Sequence, residues 1–178
     1  LLSVIAGEDP RDPLALCESP DQFTSVTNVD LSSCKVAYSP DLGMLPVENE
    51  VTEIIEKSLP LLTDLGCDID IGHPDLSGGE EAFDTIRAMG FAREHQKTLK
   101  DHRDKLKDTV IWNIERGLAL SNDQIIQADR LRTKQFLNMQ SFLDNFDVLI
   151  LPVSQVLPFP IENEWVNEIN GTQMYTYI

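Results

Sequence analysis

The stretch that decides the fold is residues 34–43, which read Cys34-Lys35-Val36-Ala37-Tyr38-Ser39-Pro40-Asp41-Leu42-Gly43. Its first half is short, apolar and partly β-branched, which favours a strand over residues 34–38. Its second half is rich in turn residues, and these lead the chain away from the strand. Whatever follows this turn decides whether the strand belongs to a hairpin or to an α/β layer.

A helix and a second strand follow the turn. Residues 48–65 carry apolar groups at helical spacing, and Gly66 supplies the stop. Pro60 lies inside this pattern and is expected to kink or split the helix, because proline removes a backbone hydrogen bond. Residues 67–71 then alternate apolar and acidic side chains, which predicts a half-buried strand. Strand, helix and strand in this order predict a right-handed βαβ unit over residues 34–72.

Downstream, the pattern predicts a long helical insert and one more strand. Residues 80–145 have helical periodicity, with a break near Gly117 and a capping box that pairs Ser121 with Gln124. Residues 147–151 form an apolar strand bounded by Pro152, and residues 152–164 are expected to be extended and irregular. The fold class is therefore α/β: a partial sheet built from a βαβ unit, a helical insert and a further strand. Three strands leave open sheet edges, so we expect strands outside this sequence to complete the sheet.

The two ends of the sequence have different characters. Residues 1–33 begin with the last turns of an apolar helix that stops at Gly7, and continue as a connection rich in Asp, Pro and Ser. Residues 146–178 contain the third strand and the segment after it, and close without a polar tail. Both ends are expected to be cut from a longer polypeptide.

Charge and cysteine content narrow the function classes. The formal net charge of −16 repels phosphate backbones, so we expect no nucleic-acid partner. No apolar run approaches the ~20 residues that a membrane-spanning helix needs. The cysteines are Cys17, Cys34 and Cys67, an odd number without CxxC spacing, which predicts neither a disulfide framework nor a zinc site. Cys34 and Cys67 are expected to be buried small hydrophobes in a reducing, cytoplasmic setting.

Several residues invite a catalytic interpretation, and each has a simpler one. Ser77-Gly78-Gly79 could present a nucleophilic serine, but a turn that leads into a helix is favoured, because no lysine lies nearby in sequence. His73, His95 and His102 lack metal-ligand spacing, so a loop position and solvated helix faces are favoured. Asp147, at the entry to a strand, is expected to bond to nearby backbone rather than to act in catalysis.

The segment Leu151-Pro152-Val153-Ser154-Gln155-Val156-Leu157-Pro158-Phe159-Pro160 has the strongest claim to a site. It leaves the carboxyl end of a buried strand, which is where ligands bind in open α/β sheets. It could therefore form the wall of a pocket. On residues alone, an ordinary proline-rich connector is an equally good interpretation.

Five pieces of the sequence, taken in order, support a family name. The chain resembles the amidase signature hydrolases in residues 4–13, 35–43, 65–67, 147–152 and 170–174. The first contains Asp9-Pro10-Arg11-Asp12-Pro13, the second Val36-Ala37-Tyr38-Ser39-Pro40-Asp41-Leu42-Gly43, the fourth Asp147-Val148-Leu149-Ile150-Leu151-Pro152 and the last Asn170-Gly171-Thr172-Gln173-Met174. Each piece is weak alone, but their order and spacing are fairly specific.

The resemblance implies both a fold and a chemistry. It implies that the partial sheet belongs to a larger mixed amidase-type sheet flanked by helices. It also implies cleavage of a carbon–nitrogen amide bond by a Ser–cis-Ser–Lys triad, with no metal or organic cofactor. The glycine-rich Ser-Ser signature, the second glycine-serine loop and the upstream lysine are absent from these 178 residues, so no residue here is assigned a catalytic role. A substrate-binding role is assigned to Trp112, in the helical insert, and to Val153, Ser154 and Gln155.

Two functions remain open at this stage. The first is part of an amidase that acts on a small, uncharged aryl or alkyl amide and works with the remainder of the amidase chain. The second is a non-catalytic interaction subunit, or an amidotransferase subunit, that shares the amidase fold. The net charge argues against RNA contact by this segment. Self-association into a homo-oligomer is left open.

Overall fold

The computed structural model describes residues 1–15, 17–25 and 30–175. These fall into two compact units, Leu1–Leu31 and Ser32–Ile178. The first unit contains helix α1 (Leu2–Ile5) and a 3-10 turn (Pro20–Phe23), which contact each other. None of the helices in the described ranges is long and apolar enough to cross a membrane.

The Asp-Pro-Arg-Asp-Pro motif of the first unit forms turns. The Asp9 carboxylate accepts hydrogen bonds from the backbone and the guanidinium of Arg11, at 2.9 Å each. The Asp12 carboxylate accepts one from the backbone N–H of Leu14 at 2.9 Å. Short acidic side chains that bond to the backbone two residues ahead stabilise such turns. The motif that carried part of the resemblance therefore shapes the connection between α1 and the 3-10 turn.

A three-stranded parallel sheet is the centre of the second unit. Strands β1 (Lys35–Tyr38), β2 (Asp68–Ile71) and β3 (Val148–Ile150) lie in the order β2-β1-β3. The middle strand is the core of the sheet, because three of its four residues are buried. The strands predicted at residues 34–38, 67–71 and 147–151 are confirmed to within one residue at each end, and the α/β class is confirmed.

Asp147 fastens β3 to the middle strand. Its carboxylate accepts a hydrogen bond from the Lys35 N–H at 2.8 Å, and its own N–H donates to the Lys35 carbonyl at 2.8 Å. The structure thus gives Asp147 the expected backbone bond, but across the sheet rather than within its own turn. It sets the position of β3 beside β1.

Two helices connect β1 to β2, as the proline predicts. Helix α2 (Asn49–Glu56) ends before helix α3 (Leu59–Asp64), and Pro60 lies in the first turn of α3. In that turn its missing N–H has no helical partner to lose, so proline is tolerated there. Gly66 ends the pair with a φ of +97°, in the left-handed region that favours glycine.

The prediction that β2 is half-buried is wrong for Ile71, which is 83% exposed. β2 is an edge strand, and Ile69 and Ile71 border an open groove between the strand and α3. The alternation of side chains correctly indicates a strand, but it cannot tell whether anything covers the apolar face.

Three helices form the insert between β2 and β3. These are α4 (Gly79–His102), α5 (Asp108–Leu118) and α6 (Asn122–Leu143), and α4 packs against the other two. The capping box at the start of α6 is confirmed: the Ser121 hydroxyl accepts from the Gln124 N–H, and the Gln124 side chain accepts from the Ser121 N–H. Gly117 was expected only as a helix stop. It also lies so close to α4 that an added Cβ would be 2.0 Å from the carbonyl oxygen of Ala88.

A short antiparallel hairpin follows the sheet. It pairs β4 (Glu168–Ile169) with β5 (Thr172–Gln173). The turn is Asn170-Gly171, with φ values of +49° and +82°, the conformation that Asn-Gly favours in two-residue hairpins. The Asn170 amide also donates to the carbonyl of Val47 at 2.7 Å. This bond ties the hairpin to the segment that follows β1.

Candidate functional site

A cavity of about 320 Å³ lies at the carboxyl ends of β1 and β3. Its walls come from the segment after each strand: Leu42, Leu45 and Val47 on one side, and Leu151, Pro152, Val153, Ser154 and Gln155 on the other. The strands are parallel and adjacent, so both segments leave the sheet at the same edge. This edge is where open α/β sheets bind ligands.

The turn after β1 is fixed by its own polar side chains. The buried Ser39 hydroxyl accepts a hydrogen bond from the Leu42 N–H at 2.8 Å, and the Asp41 carboxylate accepts one from the Gly43 N–H at 2.7 Å. Leu42 and Gly43 both have positive φ, at +54° and +73°. These bonds offset the backbone strain at Leu42, because a leucine in the left-handed region is unfavourable. The turn thereby places Leu42 on the cavity wall.

Gln155 holds the two walls together. The Gln155 side-chain amide donates a hydrogen bond to the Pro46 carbonyl at 2.7 Å. The Gln155 backbone carbonyl accepts one from the Glu48 N–H at 2.8 Å. The Glu48 carboxylate in turn accepts from the Leu157 N–H at 2.9 Å. Three hydrogen bonds across more than a hundred residues of sequence fix the cavity width. We call this set of bonds the wall latch.

The cavity offers few groups that could do chemistry. The Ser154 hydroxyl donates to the carbonyl of Val156 at 2.9 Å, and the other walls are apolar side chains and Gln155. Tyr38, below the turn, is buried, and its hydroxyl has no hydrogen-bond partner among the described residues. Burial raises the pKa of Tyr38, and the charges of Glu56 and Asp41 raise it further. The phenol therefore stays neutral, and it is unsuited to act as a base at neutral pH.

Folding brings a lysine to Ser77. The Lys134 ammonium donates to the Ser77 hydroxyl at 3.0 Å, and it lies 3.6 Å from the Asp75 carboxylate. A serine beside a lysine resembles a nucleophile and its base. However, the same lysine pairs with Asp75, and both of these side chains are about half exposed or more. Gln135 also donates to the Ser77 carbonyl at 2.8 Å, so these contacts fasten the turn before α4 to α6.

None of His73, His95 and His102 is among the residues that line the cavity. His73 follows β2, its ring lies against Gly43, and its Nδ1 is 3.1 Å from the Pro74 carbonyl oxygen. His95 and His102 are exposed on α4, as their solvated pattern suggested. Within the described ranges, no three His, Cys, Asp or Glu side chains are grouped closely enough to hold a metal ion.

The predicted site residues fall in two places. Val153, Ser154 and Gln155 line the cavity together. Trp112 lies on α5, 44% exposed, and the Arg116 guanidinium carbon is 5.2 Å from its ring centroid. Trp112 is not among the residues that line the cavity, and a role in substrate binding stays a prediction for all four.

The sequence-based assignment missed the wall that follows β1. Leu42, Leu45 and Val47 are part of the cavity, although only the segment after β3 was assigned to it. The signal was present, because the Ser-Pro-Asp-Leu-Gly turn leaves the carboxyl end of the neighbouring parallel strand. Strand order was the missing information: without it, the two segments could not be placed side by side.

Comparisons with known proteins give the chain its context. The sequence model of the family described as Amidase matches residues 1–178. An acylamidase of Rhodococcus erythropolis is 26% identical over 176 residues, which cover 98% of this chain and 37% of the relative. One subunit of the glutamyl-tRNA(Gln) amidotransferase from Lactobacillus delbrueckii subsp. bulgaricus is 26% identical and is matched over 95% of this chain and 40% of its own length.

A solved structure agrees in fold. The crystal structure of a bacterial aryl acylamidase, described as belonging to the amidase signature enzymes, superposes with a TM-score of 0.75 at 23% identity. The match covers 95% of this chain and 37% of that one. The present chain therefore spans somewhat more than a third of the length of these proteins.

Proposed function

The chain belongs to the amidase family, and on that premise we propose that it is part of an enzyme that hydrolyses the carbon–nitrogen bond of small amides. The observation that carries the proposal is the cavity at the carboxyl ends of β1 and β3, within a chain whose whole length matches the family. In this proposal, residues 1–178 provide sheet and pocket wall, and the Ser–cis-Ser–Lys triad belongs to the remainder of the amidase polypeptide.

The character of the walls supports a small, uncharged amide as substrate. A cavity of about 320 Å³ is at the lower end of the range for small-molecule sites. Leucine, valine and proline side chains provide apolar contact for an aryl or alkyl group. Among the described residues that line the cavity, none is a Lys or Arg that could pair with an anionic substrate. Val153 is fully exposed and Ser154 is exposed, so both can contact a substrate that is held against this wall.

The absence of a suitable base among the described residues supports an external triad. Ser77 contacts a lysine that is itself beside a carboxylate, and the Ser154 hydroxyl is bonded to a carbonyl. A nucleophilic serine needs a neighbour that can accept its proton. The proposal needs no metal or organic cofactor.

A serine-reactive probe tests where the nucleophile lies. The complete gene product would be incubated with a fluorophosphonate, which reacts with activated serines, and the labelled peptide identified by mass spectrometry. We expect the label outside residues 1–178, and a loss of amide hydrolysis in step with labelling. Labelling at Ser77 that a Ser77→Ala variant abolishes together with hydrolysis would refute the proposal.

A matched pair of variants tests the wall. Val153→Asp in the complete gene product places a charge on the cavity wall and is expected to raise KM for an aryl amide by about tenfold or more, with a smaller effect on kcat. Val4→Asp is the control, because Val4 is similarly exposed, at 81%, and lies in the first unit. Equal effects of the two substitutions would argue against a role of this wall in substrate binding.

The proposal also includes a substrate-binding role for Trp112 and a cytoplasmic setting for the enzyme. Trp112 is proposed to contact substrate in the complete enzyme. If so, Trp112→Phe should change the order of preference among aryl amides and not merely reduce stability. A cytoplasmic setting is proposed from the sequence, whose odd number of cysteines without CxxC spacing does not indicate a disulfide framework.

The second candidate function is that of an amidotransferase component. It is favoured by the similarity to one subunit of glutamyl-tRNA(Gln) amidotransferases. The net charge of −16 makes direct RNA contact by this segment unfavourable. Glutamine-dependent amidation of a carboxylate by the complete gene product with its partner subunits, without hydrolysis of simple amides, would favour this function over the first.

A further inference from the structure

Two of the three cysteines meet at the amino end of the sheet. Cys34 directly precedes β1 and Cys67 directly precedes β2. The strands pair in parallel with Lys35 opposite Asp68, and the Asp68 N–H donates to the Cys34 carbonyl at 2.9 Å. Continuing this register by one residue places Cys34 opposite Cys67.

This geometry fits a disulfide. Neighbouring strands lie about 4.8 Å apart, and residues in register on parallel strands point to the same face of the sheet. That spacing is inside the Cα separation of roughly 4.4–6.8 Å that disulfides adopt. Both thiols are free; burial raises the pKa of the Cys34 thiol, and the neighbouring Cys67 raises it further.

We propose that Cys34 and Cys67 form a reversible disulfide by exchange with a small-molecule disulfide. The Cys34 thiolate, having lost its proton to solvent, attacks one sulfur of the small disulfide and releases one small thiol. The Cys67 thiol then loses its proton and attacks the Cys34 sulfur, which releases the second small thiol. The protein loses two protons and two electrons in total, equivalent to two hydrogen atoms, and the small disulfide takes them up to become two thiols.

The difference in burial assigns the order of the two steps. Cys34 is partly exposed and Cys67 is buried, with 7% of its surface accessible. A small disulfide can therefore reach Cys34 first, and the buried neighbour completes the exchange. Burial, Cys67 and the Asp147 carboxylate together raise the pKa of Cys34, so closure depends on the proximity of the two sulfurs rather than on an activated thiolate.

The disulfide would raise the stability of the chain without closing the cavity. It would join β1 to β2 at the amino end of the sheet, whereas the cavity is at the carboxyl end, about 13 Å away along a four-residue strand. Closing the chain between Cys34 and Cys67 restricts the unfolded state. We expect the oxidised chain to melt about 5–10 °C higher than the reduced chain.

Oxidised glutathione is the probe for this proposal. The native chain would be equilibrated in glutathione buffers of increasing oxidation, alkylated, and mapped by mass spectrometry. We expect a species lighter by two hydrogen atoms, a peptide pair that links Cys34 to Cys67, and Cys17 alkylated. Cys34→Ala and Cys67→Ala should each abolish the light species, and Cys17→Ala, which changes an exposed thiol, should leave it intact.

The unsubstituted chain tests the disulfide even if a cysteine variant fails to fold. Stable glutathione adducts on Cys34 without release by Cys67 would overturn it, as would a disulfide that includes Cys17. Three free thiols at every buffer ratio would also overturn it. A linked pair whose melting temperature does not rise would refute the stabilising effect.

Discussion

The close approach of α5 to α4 makes a sharp prediction for Gly117→Ala. Glycine inside a helix is normally less stable than alanine by about 0.5–1 kcal/mol, so helix propensity alone predicts a gain in stability. Here, however, the added Cβ would lie 2.0 Å from the Ala88 carbonyl oxygen and 2.8 Å from the Ala92 Cβ. Steric overlap and helix propensity therefore predict opposite signs.

Steric overlap should dominate, because the nearest atoms belong to the backbone and cannot rotate away. An ordinary Cβ contact begins at 3.4 Å, so the helices would have to separate by roughly 1.4 Å, which is 3.4 − 2.0. Ala88 is fully buried between the helices, so that separation would open the packed interface. Overpacking of this kind costs about 1–3 kcal/mol and sometimes more. After allowing for the gain in propensity, we expect Gly117→Ala to lower the free energy of unfolding by about 2 kcal/mol.

Urea denaturation monitored by far-UV circular dichroism measures the effect, and Gly90→Ala provides the matched control. Gly90 is also in a helix, but an added Cβ there would meet nothing within 4 Å. Gly90→Ala should therefore raise stability by up to about 1 kcal/mol. The close approach of α4 and α5 at Gly117 would be contradicted by either of two results. One is a Gly117→Ala variant as stable as the unsubstituted chain, and the other is an equal gain in stability from both substitutions.

Three further substitutions test single interactions. Asp84→Asn removes the charge that pairs with Arg116 at 2.8 Å, in a pair only about a third exposed, and should lower stability by about 1–2 kcal/mol in urea denaturation. Gln155→Met removes one of the three bonds of the wall latch and leaves the Pro46 carbonyl without its partner, which should cost about 1 kcal/mol in the same assay. Hydrogen bonds from Ser77, together with the charge of nearby Lys134, lower the pKa of Asp75. The stabilisation of the folded state by the Asp75 carboxylate is therefore present above the ordinary carboxyl pKa of 3.8, and it is lost as the pH falls through the lower pKa of the folded state. Asp75→Asn should accordingly flatten the fall in melting temperature as the pH is lowered below the ordinary carboxyl value of 3.8.

Exposed side chains provide the controls for these substitutions. Asp129→Asn breaks an ion pair with Arg132 in which both side chains are about two-thirds exposed, and should cost less than about 0.5 kcal/mol. Gln127→Met removes an exposed amide from α6, and Asp70→Asn an exposed carboxylate from β2. If a control substitution lowers stability by as much as the substitution it is matched to, the corresponding contact makes no specific contribution to stability.

The order of the elements could be predicted because each is encoded locally. Proline in the first turn of α3, the Ser121 capping box and the alternation over residues 67–71 are short-range signals, and each corresponds to the structure at its own position. Parallel pairing of β1 with β2 also followed, since the connection between them contains helices.

Contacts across the sequence could not be predicted in the same way. The approach of Lys134 to Ser77 spans 57 residues, and the bond from Gln155 to Pro46 spans 109. Local patterns contain no information about such pairs. The residues of the Ser-Pro-Asp-Leu-Gly segment predict a turn, but the place of that turn on the cavity wall depends on β3 lying beside β1. The exposure of Ile71 was missed for the same reason.

The central proposal is that residues 1–178 contribute structure to an amidase and that bond cleavage belongs to other residues of the enzyme. Incubating the purified 178-residue chain with a panel of aryl and alkyl amides, and measuring the amine released, tests it most directly. We expect no release above that of buffer, at any chain concentration. Release that scales with chain concentration and disappears in a Ser77→Ala variant would contradict it.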